Sequence, residues 1–187
     1  APRPEPGSAA RHAAGALPGM SSPILQVRGL TTRFRTDRGE VTAVDDVSFV
    51  VGRGETLAIV GESGSGKSVT ALSILRLIPS PPGRIVAGQV LFEDRDLLEA
   101  DNASIRDIRG NKIAMIFQEP MSSLNPALTV GVQVAEPMHE HRRMPWSTAL
   151  EKASELISRV RIPDAKSRLA SFPHQYSGGM RQRIMIA

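Results

Sequence analysis

Hydrophobic and polar residues alternate with a period of two in the first half of the chain. The alternation covers residues 24–27, 41–44, 47–51 and 85–92, where Val, Ile and Phe are frequent. Such alternation is typical of β-strands with one buried face, and a Gly-rich turn follows residue 51. The pattern predicts a small antiparallel β-sheet.

Two further stretches are mostly apolar without alternation, and each predicts a short buried strand. Residues 56–60 lead directly into a glycine-rich segment, and residues 112–117 end just before Gln118. After the glycine-rich segment, a helical pattern over residues 69–78 is stopped by Pro79. A buried strand that feeds a helix through a glycine-rich loop predicts an α/β fold.

Helical periodicity dominates the second half of the chain. It predicts helices over residues 103–109, 130–142 with an interruption at Pro137, 147–160 with Ser147 as the N-cap, and 165–170. Because the strands come first and the helices follow, we expect separate subdomains, with an α-helical subdomain over about residues 127–180.

Composition narrows the class of protein. The chain has 187 residues, of which 41% are hydrophobic, so it can bury the core of one domain. Its net charge is +4. Its basic residues are scattered and do not indicate a nucleic-acid surface. The absence of Cys excludes a disulfide scaffold and a Cys-based metal site within this sequence. No apolar run approaches the roughly 20 residues that span a bilayer.

The first 22 residues differ in composition from the rest. They are mainly Ala, Pro, Gly, Ser and Arg, with almost no large apolar side chains. Such a segment cannot offset the entropy lost on ordering, so we predict a disordered extension over residues 1–22 and a folded domain over residues 23–187. The extension lacks the continuous apolar centre of a secretory signal. Met20 is a candidate start of translation.

The glycine-rich segment matches the P-loop pattern G-x-x-x-x-G-K-S. Its glycines allow successive backbone N–H groups to face phosphate oxygens, and the following helix adds its N-terminal N–H groups. In this role Lys67 reaches the β- and γ-phosphates and the Ser68 hydroxyl ligates Mg²⁺, which predicts ATP and Mg²⁺ as ligands. The alternative is a Gly/Ser-rich turn without a ligand. The candidate nucleotide-binding residues of this segment are Gly61, Glu62, Ser63, Gly64, Ser65, Gly66, Lys67, Ser68 and Val69.

Two other sites in the sequence are candidates for ligand contact. Ser177 is placed as an N-cap, and Gly178 and Gly179 follow it at the start of a predicted helix, which makes a second anion-binding helix N-terminus. The alternative is an ordinary Ser-Gly-Gly turn. Phe34 is predicted in a loop between the first two strands, where its ring can stack on a nucleobase or anchor the loop on the core.

These features together resemble the nucleotide-binding domain of an ABC transporter, from about residue 24 to residue 187. The resemblance depends on their order: the P-loop, Gln118 at the end of a predicted strand, a helical segment, and then Ser-Gly-Gly. Within the family, Ile-Phe-Gln-Glu-Pro-Met-Ser-Ser-Leu-Asn-Pro at residues 116–126, together with Met180, resembles the ATP-binding subunits of oligopeptide, dipeptide and nickel importers. The implied fold is an α/β P-loop NTPase with an antiparallel β subdomain, a RecA-like core that is incomplete here, and an α-helical subdomain.

The resemblance implies a role for each matching residue. Gln118 resembles the Q-loop glutamine, which contacts Mg²⁺ and the attacking water, and an amide suits this role because it donates and accepts without adding charge. The loop that begins at Gln118 and ends at Pro126 is similar to the part that receives a cytoplasmic helix of the permease. Phe34 resembles the A-loop aromatic residue. The signature motif, expected to complete the ATP site of a second subunit, corresponds to Ser177, Gly178, Gly179, Met180, Arg181 and Gln182.

The same resemblance implies partners and a location. The expected partners are a second ATPase subunit, identical or not, the transmembrane permease subunits and, indirectly, an extracytoplasmic solute-binding protein, with no nucleic acid. The expected location is the cytoplasmic face of the cell membrane, as a peripheral subunit. ATP binding and hydrolysis would be coupled to the uptake of peptides or a related small solute such as nickel.

One part of the family pattern has no counterpart in this sequence. In the family, a strand ending in the Walker B Asp-Glu pair and later a switch His follow the signature helix, whereas this sequence ends at Ala187. We therefore expect a piece of a longer protein that does not hydrolyse ATP by itself and aggregates or stays partly unfolded. The alternatives are a soluble ABC-type ATPase of DNA repair or translation, and a nucleotide-binding fragment without hydrolysis.

Overall fold

A computed structural model describes residues 22–117 and 123–187, and the described chain divides into two compact units at Ile105 and Arg106. The predicted disorder of residues 1–22 falls outside the described residues, apart from Ser22. The elements of the first unit and of the unit boundary are β1 Leu25–Thr36, β2 Gly39–Val51, α1 Lys67–Ile74, β3 Gly83–Phe92, β4 Arg95–Asp96 and α2 Asn102–Ile108.

The first unit contains the predicted antiparallel sheet. Its strand order is β2-β1-β3-β4, and every pair of neighbours is antiparallel. The two short apolar runs predicted near residues 41–51 form one strand, β2, because β1 continues far enough to pair with it along its whole length. Val27, Leu30 and Val90 are fully buried and make the apolar face of the sheet.

A buried pair of hydroxyl groups joins the sheet to α1. The Oγ1 atom of Thr32 on β1 lies 2.8 Å from the Oγ atom of Ser73 on α1, and both residues are fully buried. Ser73 Oγ also donates to the Val69 carbonyl oxygen at 2.7 Å. Buried hydroxyl groups require partners because burial removes their hydrogen bonds to water. The pair therefore fixes the position of α1 on β1.

Removing the Ser73 hydroxyl alone should cost more than removing both hydroxyl groups. Ser73→Ala leaves the Thr32 hydroxyl buried without its partner, which should lower the free energy of unfolding by about 1–3 kcal/mol. Thr32→Val in the Ser73→Ala background should restore part of that loss, because no orphaned hydroxyl group remains. Urea denaturation of the two single variants and the double variant measures this. Additive losses would contradict it.

A charged cluster lies across three strands of the same sheet. Arg33 of β1 and Arg84 of β3 are direct cross-strand partners, and Glu40 of β2 binds both, with oxygen-to-nitrogen distances of 3.1 Å to Arg33 and 2.6 Å to Arg84. Like charges that face each other across strands are destabilising. Glu40 offsets this repulsion. The hydrogen bond from Arg84, followed by the one from Arg33, lowers the pKa of the Glu40 carboxyl below its ordinary value of 4.5.

The lowered pKa predicts a pH dependence of stability. A carboxyl group with a lower pKa in the folded state stabilises the fold above its unfolded-state pKa, and this contribution is lost as the pH falls through the folded-state value. The melting temperature of wild type should therefore exceed that of Glu40→Gln at neutral pH, and the gap should close below about pH 4.5. Because Glu40 is exposed, the gap is small. A gap that stays constant with pH would be inconsistent with this cluster.

The second unit is helical. Its elements are α3 Val130–Arg142, α4 Trp146–Arg159, α5 Ala165–Arg168, a 3₁₀ turn at Pro173–Gln175 and α6 Gly178–Ile186. One buried cluster joins Val130, Ile157, Ile162, Tyr176 and Ile184, and a second joins residues of α3 and α4 around Ala135 and Ala153. None of the helices in the described part of the chain has both the length and the hydrophobicity needed to cross a bilayer.

Two helix predictions in this unit are wrong in detail. The helix α3 continues through Pro137 without an interruption, and Pro137 lies on its exposed side. Ser147 is not an N-cap, because α4 already begins at Trp146 and its N-cap is Pro145. Proline has a φ angle that suits the start of a helix, which competes with the capping preference of serine.

Neither predicted buried strand is present. Residues 56–60 follow β2 as irregular, exposed chain, in which Val60 is 89% exposed. In the second unit, Ile113 makes one isolated bridge to Arg109, but residues 114–117 belong to no strand, and Ile116 is 60% exposed. A β-strand needs a neighbouring strand to pair with its backbone groups. Within the described ranges, no strand pairs with residues 56–60 or 114–117.

Candidate functional site

The predicted P-loop lies between residue 60 and α1. The helix begins at Lys67, two residues earlier than its apolar pattern predicts, and Gly66 is its N-cap with φ 89° in the left-handed region. Lys67 and Ser68 therefore occupy the first turn of α1. The first N–H groups of a helix have no partner within the helix, so the first turn offers donors to an anion.

The Lys67 side chain folds back over the loop. Its Nζ atom donates to the carbonyl oxygens of Gly61 at 2.8 Å and Glu62 at 2.6 Å, and to Ser65 Oγ at 3.3 Å. Residues 61–65 are exposed, whereas Gly66 and Lys67 are half-buried. The ammonium group is thus held beside the exposed loop and the helix N-terminus. A cation, free backbone N–H groups and a helix dipole together fit a phosphate-bearing ligand.

Glycine is required at position 66 for two reasons. Its φ angle of 89° is unfavourable for any residue with a Cβ atom, and such a Cβ would lie 2.3 Å from the Ala43 carbonyl oxygen of β2. Gly64 has a similar φ of 83°, but open space surrounds the position of its missing Cβ. The close approach at Gly66 anchors the start of α1 on the sheet.

Phe34 does not lie in a loop, contrary to the sequence prediction. It belongs to β1, where it pairs with Val41 of β2 and Gly83 of β3. Its half-buried ring lies over Gly83, since a Cβ atom at Gly83 would be 2.7 Å from Phe34 Cε1. This contact supports the anchoring alternative. Base stacking by Phe34 stays a prediction.

The predicted signature motif lies at the start of α6, in the second unit. Ser177 is its N-cap, as predicted, with its Oγ atom accepting from the Met180 N–H at 3.4 Å. Gly178 and Gly179 form the first helical positions, and open space surrounds the Cβ position of each. The backbone of this helix start can therefore be approached closely from outside. Arg181 and Gln182 follow in the same helix.

Two side chains that the sequence analysis missed hold this helix start in place. Tyr176 is 3% exposed and its hydroxyl donates to the Arg168 carbonyl oxygen, while burial raises the pKa of that hydroxyl above its ordinary value. Arg183 Nη1 donates to the carbonyl oxygens of Val160 at 3.1 Å and Arg161 at 2.6 Å, beyond the end of α4. A usable signal was that Tyr176 is the single tyrosine of the chain and directly precedes the Ser-Gly-Gly motif.

Gln118 lies outside the described residues, so its predicted contact with Mg²⁺ stays a prediction. The P-loop lies in the first unit and the signature in the second. Ser68, the other predicted Mg²⁺ ligand, is exposed in the first turn of α1.

Known proteins resemble this chain in sequence and in fold. The ABC transporter family model matches residues 44–187. A protein of Brucella melitensis, named as a peptide import ATP-binding protein, is 53% identical over 170 residues, which are 88% of this chain and 50% of that protein. The oligopeptide transport ATP-binding protein OppD of Bacillus subtilis is 48% identical over 164 residues, covering 88% of this chain and 46% of OppD.

Among solved structures, the dimeric bacterial ABC transporter cassette MJ0796 superposes with a TM-score of 0.74. It is 26% identical and covers 87% of this chain and 67% of the cassette. The chain spans about half the length of the curated relatives it matches. The family match over most of the chain, the identity to these relatives and the shared fold agree with the geometry of the P-loop. The chain belongs to the ABC transporter family, within the group of ATP-binding subunits, and has the P-loop NTPase fold of that family.

Proposed function

We propose that the full-length protein is the ATP-binding subunit of an importer that takes up oligopeptides. The geometry of the P-loop supports nucleotide binding. Lys67 is held beside the N-terminus of α1, and Gly66 packs this N-terminus against β2. The names of the relatives at 53% and 48% identity support peptides as the imported solute. ATP binding and hydrolysis would supply the energy for uptake.

In this role the first turn of α1 and Lys67 hold the phosphates, and the Ser68 hydroxyl and Gln118 ligate Mg²⁺. The half-buried Lys67 exchanges its contacts with loop oxygens for contacts with phosphate oxygens. The ammonium is charged in both sets of contacts, but a phosphate oxygen carries negative charge where a carbonyl oxygen carries only a dipole, and this attraction favours the exchange. When bound, Mg²⁺ would supply positive charge beside the phosphates.

The signature points to a site shared between two subunits. Ser177, Gly178 and Gly179 present an uncovered helix N-terminus, which suits the terminal phosphate of a nucleotide on a partner subunit. The dimeric form of the cassette MJ0796 supports this arrangement. We propose a peripheral location on the cytoplasmic face of the membrane, where residues 118–126 meet the permease and a solute-binding protein acts from the other side.

Peptide uptake tests the proposed function directly. Cells that lack the gene should lose uptake of a radiolabelled alanine tripeptide, and expression of the full-length protein should restore it. Expression of a Lys67→Ala variant should not. Uptake of radioactive Ni²⁺ is measured in the same strains to separate the two solutes. Unchanged tripeptide uptake in the deletion strain would contradict the peptide assignment.

Gly179→Ala should separate folding from assembly. The added Cβ meets open space, and alanine is favoured over glycine in a helix by up to about 1 kcal/mol, so the variant should be at least as stable as wild type. It should nevertheless lose ATP-dependent dimerisation, because the methyl group occupies the face offered to the partner's nucleotide. Thermal unfolding and sedimentation velocity with Mg·ATP measure the two effects.

Gly131→Ala is a comparison for the stability effect alone, because Gly131 faces Leu169 and not open space. A Cβ atom at Gly131 would lie 2.8 Å from both the Cβ and the carbonyl oxygen of Leu169, so overpacking should destabilise the protein by about 1–3 kcal/mol. If Gly179→Ala still dimerises with ATP as wild type does, the shared site is excluded.

A further inference from the structure

One side chain of α3 binds the segment that precedes the helix. The Oε1 atom of Gln133 accepts from the Asn125 N–H at 2.8 Å, and Nε2 donates to the carbonyl oxygens of Asn125 at 2.9 Å and Leu128 at 3.0 Å. A glutamine amide offers two donor hydrogens and one acceptor oxygen, and all of them are used here. Both backbone polar groups of Asn125 are therefore satisfied by a single side chain.

The segment has further supports of its own. Asn125 Oδ1 accepts from the Ala127 N–H at 2.9 Å, and the Leu128 N–H donates to the Asn125 carbonyl oxygen at 3.3 Å. Leu124 packs against the buried cluster that contains Val130 and Tyr176. Residues 124–128 are thus a closed turn that is fixed to α3 by Gln133 and to the helical core by Leu124.

The same helix α3 also supports the residues that precede the signature. The N–H groups of Val130 and Gly131, in its first turn, donate to the carbonyl oxygens of Ser171 at 2.9 Å and Leu169 at 2.8 Å. Tyr176, which directly precedes Ser177, donates to the Arg168 carbonyl oxygen in the same stretch. Contacts within one unit therefore connect residues 124–128, through the first turn of α3, to the signature.

We propose that Gln133 is a positioning residue that holds residues 124–128 to the helix supporting the signature, so that both respond together when nucleotide binds. This inference rests on the proposed function, in which residues 118–126 meet the permease. Gln133 is not one of the residues of the predicted signature motif. Its role is to transmit a displacement, because a segment held by packed and hydrogen-bonded elements follows their motion.

Hydrogen exchange of the full-length protein tests this role, with and without Mg²⁺ and the non-hydrolysable ATP analogue AMP-PNP. In wild type, nucleotide should change exchange both in residues 124–128 and in the signature. In Gln133→Leu, residues 124–128 should exchange at least about tenfold faster, because three hydrogen bonds are lost, and should no longer respond to nucleotide. The signature should keep its response.

Two further variants test whether the effect depends on the hydrogen bonds of Gln133. Gln133→Glu keeps an acceptor for the Asn125 N–H but turns a second carboxylate oxygen toward the carbonyl oxygens of Asn125 and Leu128, so it should release residues 124–128 as Gln133→Leu does. It also serves if the leucine variant does not fold. Glu140→Leu places the same side chain at an exposed position of α3 and should behave as wild type. In the assembled importer, Gln133→Glu should lower tripeptide uptake while its KM for ATP stays within about twofold of wild type.

The outcomes separate this inference from the proposed function. If AMP-PNP fails to protect the P-loop of wild type, the proposed function fails and the inference fails with it. If the P-loop is protected but residues 124–128 exchange and respond in the Gln133 variants as they do in wild type, only the inference is overturned.

Discussion

Lys67→Ala should weaken Mg·ATP binding by the full-length protein about 10- to 100-fold, because a hydrogen bond to a charged group contributes about 1.5–3 kcal/mol. The ammonium group lies 2.6–2.8 Å from two loop carbonyl oxygens, which hold it beside the loop proposed to bind the phosphates. Titration calorimetry with Mg·ATP measures the change. The loss of hydrolysis should be larger than the loss of binding, since charge on the phosphates grows in the transition state.

Two controls define this result. Lys67→Arg keeps the charge but not the compact shape of the ammonium, so it should restore binding only in part. Lys152→Ala removes the same charge from an exposed position of α4 and should leave binding unchanged. An affinity of Lys67→Ala equal to that of wild type would mean that the loop does not bind the nucleotide phosphates.

Gly66→Ala should destabilise the first unit by about 2–5 kcal/mol. About 1–2 kcal/mol comes from the left-handed backbone at φ 89°, and about 1–3 kcal/mol comes from the overlap of the new Cβ with the Ala43 carbonyl oxygen. Because native domains are stable by only about 5–15 kcal/mol, the loss is a large part of the total. Urea denaturation without nucleotide measures it.

Gly64→Ala isolates the backbone contribution. Gly64 has φ 83°, nearly the same as Gly66, but its Cβ would meet nothing within 4 Å. This variant should lose only the backbone contribution of about 1–2 kcal/mol. Equal losses at the two positions would show that the contact with β2 does not matter.

The parts of the fold with a local cause are predictable from the sequence. The alternating runs predict the antiparallel sheet, and the cap at Ser177 is confirmed because a serine hydroxyl satisfies a free helix N–H. The start of α1 at Lys67 is harder to predict, because the apolar periodicity begins only at Val69 and the two polar residues before it carry no such signal.

The two wrong strand predictions depend on pairing with another segment of the chain. Residues 56–60 are apolar enough for a strand, but strand formation depends on a neighbour, and periodicity does not contain that information. Gln133, Tyr176 and Arg183 were missed for a different reason. Each acts on backbone carbonyl oxygens of other segments, and a side chain that binds the backbone leaves no pattern in the sequence of its partner.

The most direct test of the central claim is ATP hydrolysis by the full-length subunit assembled with its permease in lipid vesicles. Hydrolysis is measured with and without the solute-binding protein and the alanine tripeptide. We expect hydrolysis that rises several-fold with tripeptide and disappears in Lys67→Ala. A rate of ATP hydrolysis that does not change with the tripeptide, or that persists in Lys67→Ala, would contradict the assignment of this protein as the ATP-binding subunit of a peptide importer.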